Sequence, residues 1–176
     1  MKDFCIIGSG ISGATIAKAL SKKFSLDVYD KARGAGGRSS NKKLNKNESF
    51  DHGVQYISPK SEEFKKFIKS LISKKIVKKW LGKHLFLNTD KKEDKKHIKI
   101  IGKKGNNAIS KYLLKDISCN FNSEVVKIFN RNKVWEVYFS NGSKKLYRSL
   151  ALNQPDSSLG PTNQSAQTPS LIELFQ

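Results

Sequence analysis

"IIGSGISGATIAKAL", residues 6–20, joins an apolar strand pattern, a glycine-rich turn and the start of an amphipathic helix. Residues 3–8 form a short apolar run that ends in glycine, which is typical of a strand buried on both faces of a parallel sheet. Apolar residues then recur at helical spacing as far as Phe24, with lysines on the opposite face. Residues 26–30, "LDVYD", indicate a second short strand that ends in an acid. The pattern predicts a βαβ unit.

The turn between the first strand and the helix has the GxGxxG spacing, with glycine at Gly8, Gly10 and Gly13. The first glycine permits the tight turn, the second lets backbone amides approach a diphosphate, and the third lets the helix pack closely on the strand. The helix N-terminus adds N–H groups and a favourable dipole for phosphate. Asp30, at the end of the second strand, is positioned to accept hydrogen bonds from ribose hydroxyls. These features predict a dinucleotide site, and a glycine-rich turn without a ligand is the alternative.

A second glycine-rich segment follows Asp30. In "YDKARGAGGRSS", residues 29–40, Arg33 and Arg38 flank three glycines, although the chain has only four arginines in all. Arginine binds phosphate bidentately, and glycine lets the backbone lie close to a ligand. A nicotinamide dehydrogenase has no general need for such a segment, whereas a flavin dinucleotide that is buried along its length has one.

Three segments together, residues 6–20, 28–40 and 50–58, resemble the N-terminal part of flavin-dependent amine-oxidase-type proteins, most closely the renalase-like group of NAD/FAD-dependent oxidoreductases. The resemblance implies FAD as the cofactor. It also implies hydride transfer from an amine or a reduced nicotinamide, NAD(P)H, to the flavin, followed by reoxidation by oxygen. The family usually has glutamate where this chain has Asp30.

The resemblance also assigns roles to individual residues. The glycine-rich turn would hold the diphosphate, Asp30 the adenosine ribose, and Arg33 and Arg38 the phosphate side, while residues 53–55 would lie near the flavin ring. Val126 would contact adenine through its backbone, and ordinary strand core is the alternative for this valine. No residue is identified as a catalytic acid or base. The residues expected to contact the cofactor are Gly8, Ser9, Gly10, Ile11, Ser12, Gly13, Asp30, Lys31, Arg33, Gly37, Arg38, Gly53, Val54, Gln55 and Val126.

The predicted fold class is α/β: a Rossmann-type FAD/NAD(P)-binding domain with an antiparallel β-meander, plus the start of an α+β substrate domain. Residues 1–58 would form the FAD-binding βαβ unit and the Gly-Gly-Arg segment, and residues 59–100 a partial substrate region. Residues 101–150 would complete the binding domain, with a hairpin at Asn141 and the following glycine. Residues 151–176 contain no lysine or arginine and are predicted to be a disordered tail.

The middle of the chain predicts further elements. "SEEFKKFIKSLISKK", residues 61–75, has the spacing of an amphipathic helix with Ser61 as its N-cap. Residues 76–80 and 84–88 indicate short strands, and residues 89–97 a charged turn.

Residues 100–114 resemble the glycine turn and helix that precede the second half of the nucleotide domain in the same family. In this chain, Asn106 or Asn107 replaces the family's usual methionine.

The composition limits the remaining function classes. The formal charge is +19, but lysine supplies most of it and is scattered along the chain, which favours a solvated surface over a nucleic-acid site. The two cysteines cannot form a disulfide framework, and no Cys or His pair has zinc-site spacing, so we expect no metal and a cytoplasmic location. No stretch has membrane-spanning length. The expected partner is a small-molecule substrate.

The sequence therefore favours an FAD-dependent oxidoreductase. Because members of the resembled family are much longer and nothing matches their late flavin-binding segment, we interpret the chain as a truncated member. A noncatalytic dinucleotide-binding fragment is the main alternative, and a basic nucleic-acid-associated protein has only the charge in its favour. A nicotinamide-dependent dehydrogenase would leave "RGAGGRSS" unexplained.

Overall fold

The computed structural model describes residues 1–46, 48–82 and 98–153. In chain order its strands and helices are β1 (Lys2–Ile7), α1 (Ile11–Leu20), β2 (Leu26–Tyr29), β3 (Asn41–Lys43), β4 (Ser49–Asp51), α2 (Glu62–Ser73), β5 (Val77–Lys79), β6 (Ile100–Gly102), α3 (Ala108–Leu113), β7 (Cys119–Asn120), β8 (Val125–Arg131), β9 (Val134–Phe139) and β10 (Lys144–Leu152). A short 3-10 turn covers Gly37–Ser39.

The main sheet has six strands in the order β7-β2-β1-β10-β9-β8. Strands β7, β2, β1 and β10 are parallel, whereas β8 and β9 run antiparallel as a meander that ends in β10. The predicted fold class is confirmed: the chain forms a mixed α/β, Rossmann-like domain with a mainly parallel sheet. From β1 the chain continues through α1 to β2, which pairs with one edge of β1. Strand β10 pairs with the other edge of β1, so the strand order reverses at β1. Open α/β sheets bind ligands outside the carboxyl ends of the strands at such a switch point.

One face of the sheet is covered by α1 and α3. Ala14 and Ala17 of α1 are buried against the apolar side chains of β1 and β2, as the helical spacing predicts. The helix ends at Leu20, however, so the predicted extension to Phe24 is wrong. The Phe24 ring lies in the following turn, edge-on to Phe4 with ring centroids 5.1 Å apart, which explains why an apolar residue occupies that position.

The predicted helix over residues 61–75 is present as α2. Ser61 caps it, because its Oγ accepts a hydrogen bond from the N–H of Phe64 at 3.2 Å. Ile68 and Leu71 are buried and join the same core as α1 and α3. The strand predicted over residues 76–80 corresponds to β5, which pairs antiparallel with β6. The strand predicted at 84–88 and the charged turn at 89–97 lie outside the described residues.

The other face of the sheet contains a cluster of polar side chains near the amino ends of β1, β2 and β10. Tyr147 Oη donates to Asp27 Oδ2 at 2.9 Å and lies 2.8 Å from Tyr29 Oη. Lys2 Nζ donates to Asp27 Oδ1 at 2.6 Å, and Lys145 Nζ donates to Tyr29 Oη at 2.9 Å. Burial raises the pKa of Asp27, but the hydrogen bonds from Lys2 and Tyr147 outweigh it and hold the pKa below its ordinary value.

The meander confirms the predicted hairpin. Gly142 has a φ of +81°, and its N–H donates to Phe139 O at 3.0 Å, closing the turn between β9 and β10. Strand β10 continues to Leu152, which pairs with Ile7 of β1. The boundary that we predicted at residue 151 is therefore too early, because the last residues of β10 are needed to pair with β1. The rest of the predicted tail, residues 154–176, lies outside the described residues.

Candidate dinucleotide-binding site

The glycine-rich turn connects β1 to α1 within three residues. Gly8 has a φ of +101°, a conformation that favours glycine. A Cβ on Gly13 would collide with the carbonyl oxygen of Gly8, so α1 can lie this close to β1 only with glycine there. The geometric reasons that the sequence suggested for these two glycines therefore hold in the structure.

The N-terminus of α1 is open to a ligand. Its N-cap is Gly10, which has no side chain to cap the helix, and the first turn contains no acidic residue. The first three helical amides, those of Ile11, Ser12 and Gly13, donate to no described residue, whereas the next amide, that of Ala14, donates to Gly10 O at 2.9 Å. Unpaired amides at the positive end of a ten-residue helix suit a phosphate group.

Asp30 is buried, and its carboxylate connects the glycine-rich turn to the end of β2. Its Oδ2 accepts hydrogen bonds from Ser9 N at 2.7 Å and Ser9 Oγ at 2.5 Å, and its Oδ1 accepts from Ala32 N at 2.8 Å. A carboxylate offers about four acceptor positions. One acceptor position on Oδ1 is thus unused by the described residues.

The structure corrects the expectation for Ser9. This residue has no exposed surface, both its donors are used by Asp30, and its carbonyl accepts from Gly36 N at 3.2 Å. Ser9 therefore holds the turn in shape and presents no polar group to a diphosphate. Its contact with Asp30 is one that sequence reasoning missed, because the two residues lie 21 positions apart.

The Gly-Gly-Arg segment packs directly on the glycine-rich turn. Gly36 forms a parallel bridge with Gly10. Gly37 has a φ of +51°, and a Cβ there would lie 3.1 Å from Gly10 Cα. The side chains of Arg33 and Arg38 are exposed and make no salt bridge with a described residue. The two guanidinium groups are thus accessible and form no ion pair in the described part of the chain. Lys31, in the same loop, is also exposed.

The third predicted segment lies beside the second. The N–H of Val54 donates to Arg38 O at 2.9 Å, and Gly53 is so close to this carbonyl that a Cβ would collide with it. Gly53, Val54 and Gln55 are all exposed. The glycine-rich turn, the Gly-Gly-Arg segment and residues 53–55 therefore form one continuous backbone surface, which we call the cofactor floor.

The opposite end of the floor approaches the start of β8. The N–H of Ser123 donates to Asp30 O at 3.0 Å, and Val126 follows three residues later. Val126 is exposed, whereas Val125 is buried in the core of the meander. Of these two valines, only Val126 has surface to offer a ligand.

Two asparagines that sequence reasoning did not assign to the site also contact the floor. Asn106 is fully buried beneath residues 53–55. Asn153 follows β10, and its Nδ2 lies 3.3 Å from the positions that a Cβ on Gly10 or Gly13 would occupy. Its N–H donates to Ile7 O at 2.9 Å, so the strand pairing that places β10 beside β1 also places Asn153 at the switch point. Only that long-range pairing could have revealed its position.

Other reactive groups do not form a site in the described part of the chain. No three His, Cys, Asp or Glu side chains are grouped there as metal ligands. Cys5 is fully buried, and burial raises the pKa of its thiol well above the ordinary value. None of the helices among the described residues is long and apolar enough to cross a membrane.

Comparison with known proteins agrees with this architecture. A family model described as an NAD(P)-binding Rossmann-like domain matches residues 6–71. A putrescine oxidase with redesigned cofactor binding superimposes with a TM-score of 0.68 at 12% identity, covering 94% of this chain and 61% of its own. The wild-type putrescine oxidase bound to putrescine gives 0.66 at 12% identity, over 92% and 60%. A tetracycline destructase, Tet(51), gives 0.58 at 21% identity, over 90% and 40%.

These likenesses establish the fold. The chain spans at most 61% of the length of these structural relatives. The family match ends within α2, before the meander begins. It nevertheless includes all three segments of the cofactor floor.

Proposed function

We propose that this chain binds FAD and that it is an oxidoreductase of the flavin amine oxidase type. The observation that carries the proposal is the continuous cofactor floor, in which three segments separated in sequence lie side by side: Gly36 pairs with Gly10, and Val54 N–H donates to Arg38 O. A single glycine-rich turn would suit many nucleotides. The additional Gly-Gly-Arg segment and residues 53–55 favour a long ligand with a second ring system beyond the diphosphate.

The residues of the floor fit the chemistry of FAD. The open amides of α1 and the guanidinium groups of Arg33 and Arg38 suit the diphosphate. The unused acceptor position on Asp30 suits the adenosine ribose. Lys31 follows Asp30 directly, and Val126 lies three residues after Ser123, whose N–H donates to Asp30 O. Gly53, Val54 and Gln55 would border the flavin ring.

When bound, the flavin supplies the electron-accepting chemistry, and the chain supplies binding and orientation. Two substrate classes follow from the resemblance of the sequence to renalase-like proteins and from the fold shared with putrescine oxidase: amines and reduced nicotinamides. We propose hydride transfer from one of these classes. Binding of FAD by the described domain without turnover is the second candidate, because the chain spans only part of the length of its structural relatives.

The test is the visible absorption spectrum of the purified full chain, followed by identification of any cofactor released on denaturation. Gly37→Ala is the informative variant, because its Cβ would lie 3.1 Å from Gly10 Cα in a backbone conformation that favours glycine. Gly34→Ala is the matched control: it adds the same methyl group three residues away, where no atom lies within 4 Å.

We expect the wild type and Gly34→Ala to take up FAD and Gly37→Ala to bind it at least tenfold more weakly. A colourless wild type that does not take up added FAD would refute the proposal. Flavin uptake without oxidation of any amine or reduced nicotinamide would leave the noncatalytic candidate. Tight, salt-dependent binding of nucleic acid by a chain that takes up no FAD would favour the interpretation that rests on charge.

A further inference from the structure

Asn106 makes four hydrogen bonds to three separate segments, although it is fully buried. Its Nδ2 donates to Val54 O at 2.6 Å and to Gln55 O at 3.1 Å. Its Oδ1 accepts from Gly102 N at 2.8 Å, and its own N–H donates to Asp51 Oδ1 at 2.8 Å. The side chain thus connects the end of β6, the end of β4 and the exposed segment that follows β4.

The two bonds from Nδ2 fix the orientation of residues 54–56. Both carbonyls, those of Val54 and Gln55, point inward to the same side-chain amide. In a planar trans peptide the N–H points opposite to the carbonyl of the preceding residue. The N–H of Gln55 therefore points away from Asn106, toward the exposed side of the floor, and it donates to no described residue.

The neighbouring glycines explain why an asparagine can reach this position. Gly105 has a φ of +103°, and a Cβ on Gly102 would collide with the carbonyl oxygen of Gly105. This tight turn brings the residue after it beneath residues 53–55. The Oδ1 of Asn106 accepts from Gly102 N in this turn, which fixes the side chain. Its Nδ2 is then placed to donate to the carbonyls of Val54 and Gln55.

We propose that Asn106 is a positioning residue for the cofactor: it holds residues 53–55 so that the outward N–H of Gln55 meets an acceptor atom on the flavin ring. This inference rests on the proposed function, because it takes residues 53–55 as the border of the ring. Asn106 itself touches no ligand, since it has no exposed surface.

Asn106→Asp is the decisive variant because it keeps the size and shape of the side chain. One carboxylate oxygen still accepts from Gly102 N–H, but the other faces the carbonyls of Val54 and Gln55, which it repels. Asn132→Asp is the control for the added charge. It makes the same change at an exposed residue in the turn between β8 and β9 of the meander.

Two readouts separate positioning from stability. Hydrogen exchange of the cofactor-free protein measures the Val54 N–H, which is protected by its bond to Arg38 O. Titration with FAD measures the affinity and the absorption spectrum of the bound flavin. We expect Asn106→Asp to speed exchange at Val54 and to weaken FAD binding about tenfold, a loss near 1.4 kcal/mol. Asn132→Asp should leave both close to the wild type.

Each outcome decides the question. Unchanged exchange at Val54 in Asn106→Asp would overturn the proposed clamp, and faster exchange with unchanged FAD affinity would overturn its role toward the cofactor. If the wild type binds no FAD, the proposed function and the cofactor role both fail, while the exchange measurement still reports on the clamp. If Asn106→Asp does not fold, Asn106→Ser serves in its place, because it removes the two donors without adding charge.

Discussion

Replacing Asp30 with asparagine tests whether the buried carboxylate connects the glycine-rich turn to β2. Asp30→Asn keeps the shape of the side chain but leaves only one acceptor oxygen for three donors, namely Ser9 N, Ser9 Oγ and Ala32 N. If that oxygen faces Ser9, the new amide faces the N–H of Ala32. A donor that was paired in the folded protein then has no partner.

The size of the effect follows from these three bonds. An unsatisfied buried donor costs about 1–3 kcal/mol. The two bonds that remain to Ser9 change from charged to neutral, which makes each roughly half as strong and adds about 1 kcal/mol. We therefore expect the free energy of unfolding to fall by about 3 kcal/mol. For a domain of this size, that corresponds to a decrease in Tm of about 6–12 °C.

Asp3 provides a matched control. Its Oδ2 accepts from Ser25 N at 2.9 Å and Ser25 Oγ at 2.6 Å, the same pair of donors that Ser9 offers to Asp30. Because this pair is exposed, water can replace the lost acceptor in Asp3→Asn. Urea unfolding, followed by tryptophan fluorescence, should give a much smaller shift in midpoint for Asp3→Asn than for Asp30→Asn. Equal shifts would refute the reasoning, since burial would then make no difference.

Three further predictions follow from the described contacts. Arg38→Ala should lower the affinity for FAD about tenfold in low salt and less in high salt. Arg131→Ala, which removes an exposed arginine from the meander, should leave the FAD affinity unchanged. Fluorescence titration at two ionic strengths measures both affinities. Tyr147→Phe removes a hydroxyl that donates to the buried carboxylate of Asp27 and should lower the free energy of unfolding by about 1.5–3 kcal/mol. Tyr138→Phe removes a hydroxyl that donates to the partly buried carboxylate of Glu136 and should shift the urea midpoint less. The pKa of Asp27 in the folded protein lies below its unfolded value near 3.9. The ionised Asp27 therefore stabilises the fold above about pH 3.9, and this stabilisation is lost as the pH falls through the folded pKa. Asp27→Asn should remove this pH dependence from the acid-unfolding curve measured by circular dichroism.

The sequence was sufficient to predict those parts of the fold that depend on short-range patterns. The βαβ unit follows from apolar runs and glycine spacing within 30 residues, and the Ser61 cap of α2 lies three positions from its partner. The hairpin at Gly142 follows from a turn signal between alternating strands. In each case the residues that decide the structure are neighbours along the chain, so periodicity and turn chemistry are enough.

The site depends on long-range pairs that no local pattern contains. Asp30 meets Ser9 across 21 positions, and Asn106 meets Val54 across 52. Which buried donor pairs with which acceptor is decided by the packing of whole elements. The sequence could therefore propose Asp30 from its place at the end of a strand after the glycine-rich turn, and residues 53–55 from the family resemblance. It could not show that Asn106 contacts residues 54 and 55 or that Asn153 contacts the glycine-rich turn.

The two ends of the parallel strands differ in how their polar groups are used, and this difference indicates where a ligand binds. At the amino ends, Lys2, Asp27 and Tyr147 belong to a cluster whose hydrogen bonds satisfy one another. At the carboxyl ends, the first amides of α1 and the N–H of Gln55 donate to no described residue, and the side chains of Arg33 and Arg38 are exposed. Unpaired donors that converge on one surface require acceptors from a ligand or from water. The phosphate oxygens and ring acceptors of a dinucleotide could accept hydrogen bonds from these donors at the carboxyl ends. Variants of the amino-end cluster should therefore change the free energy of unfolding and leave the FAD affinity unaltered.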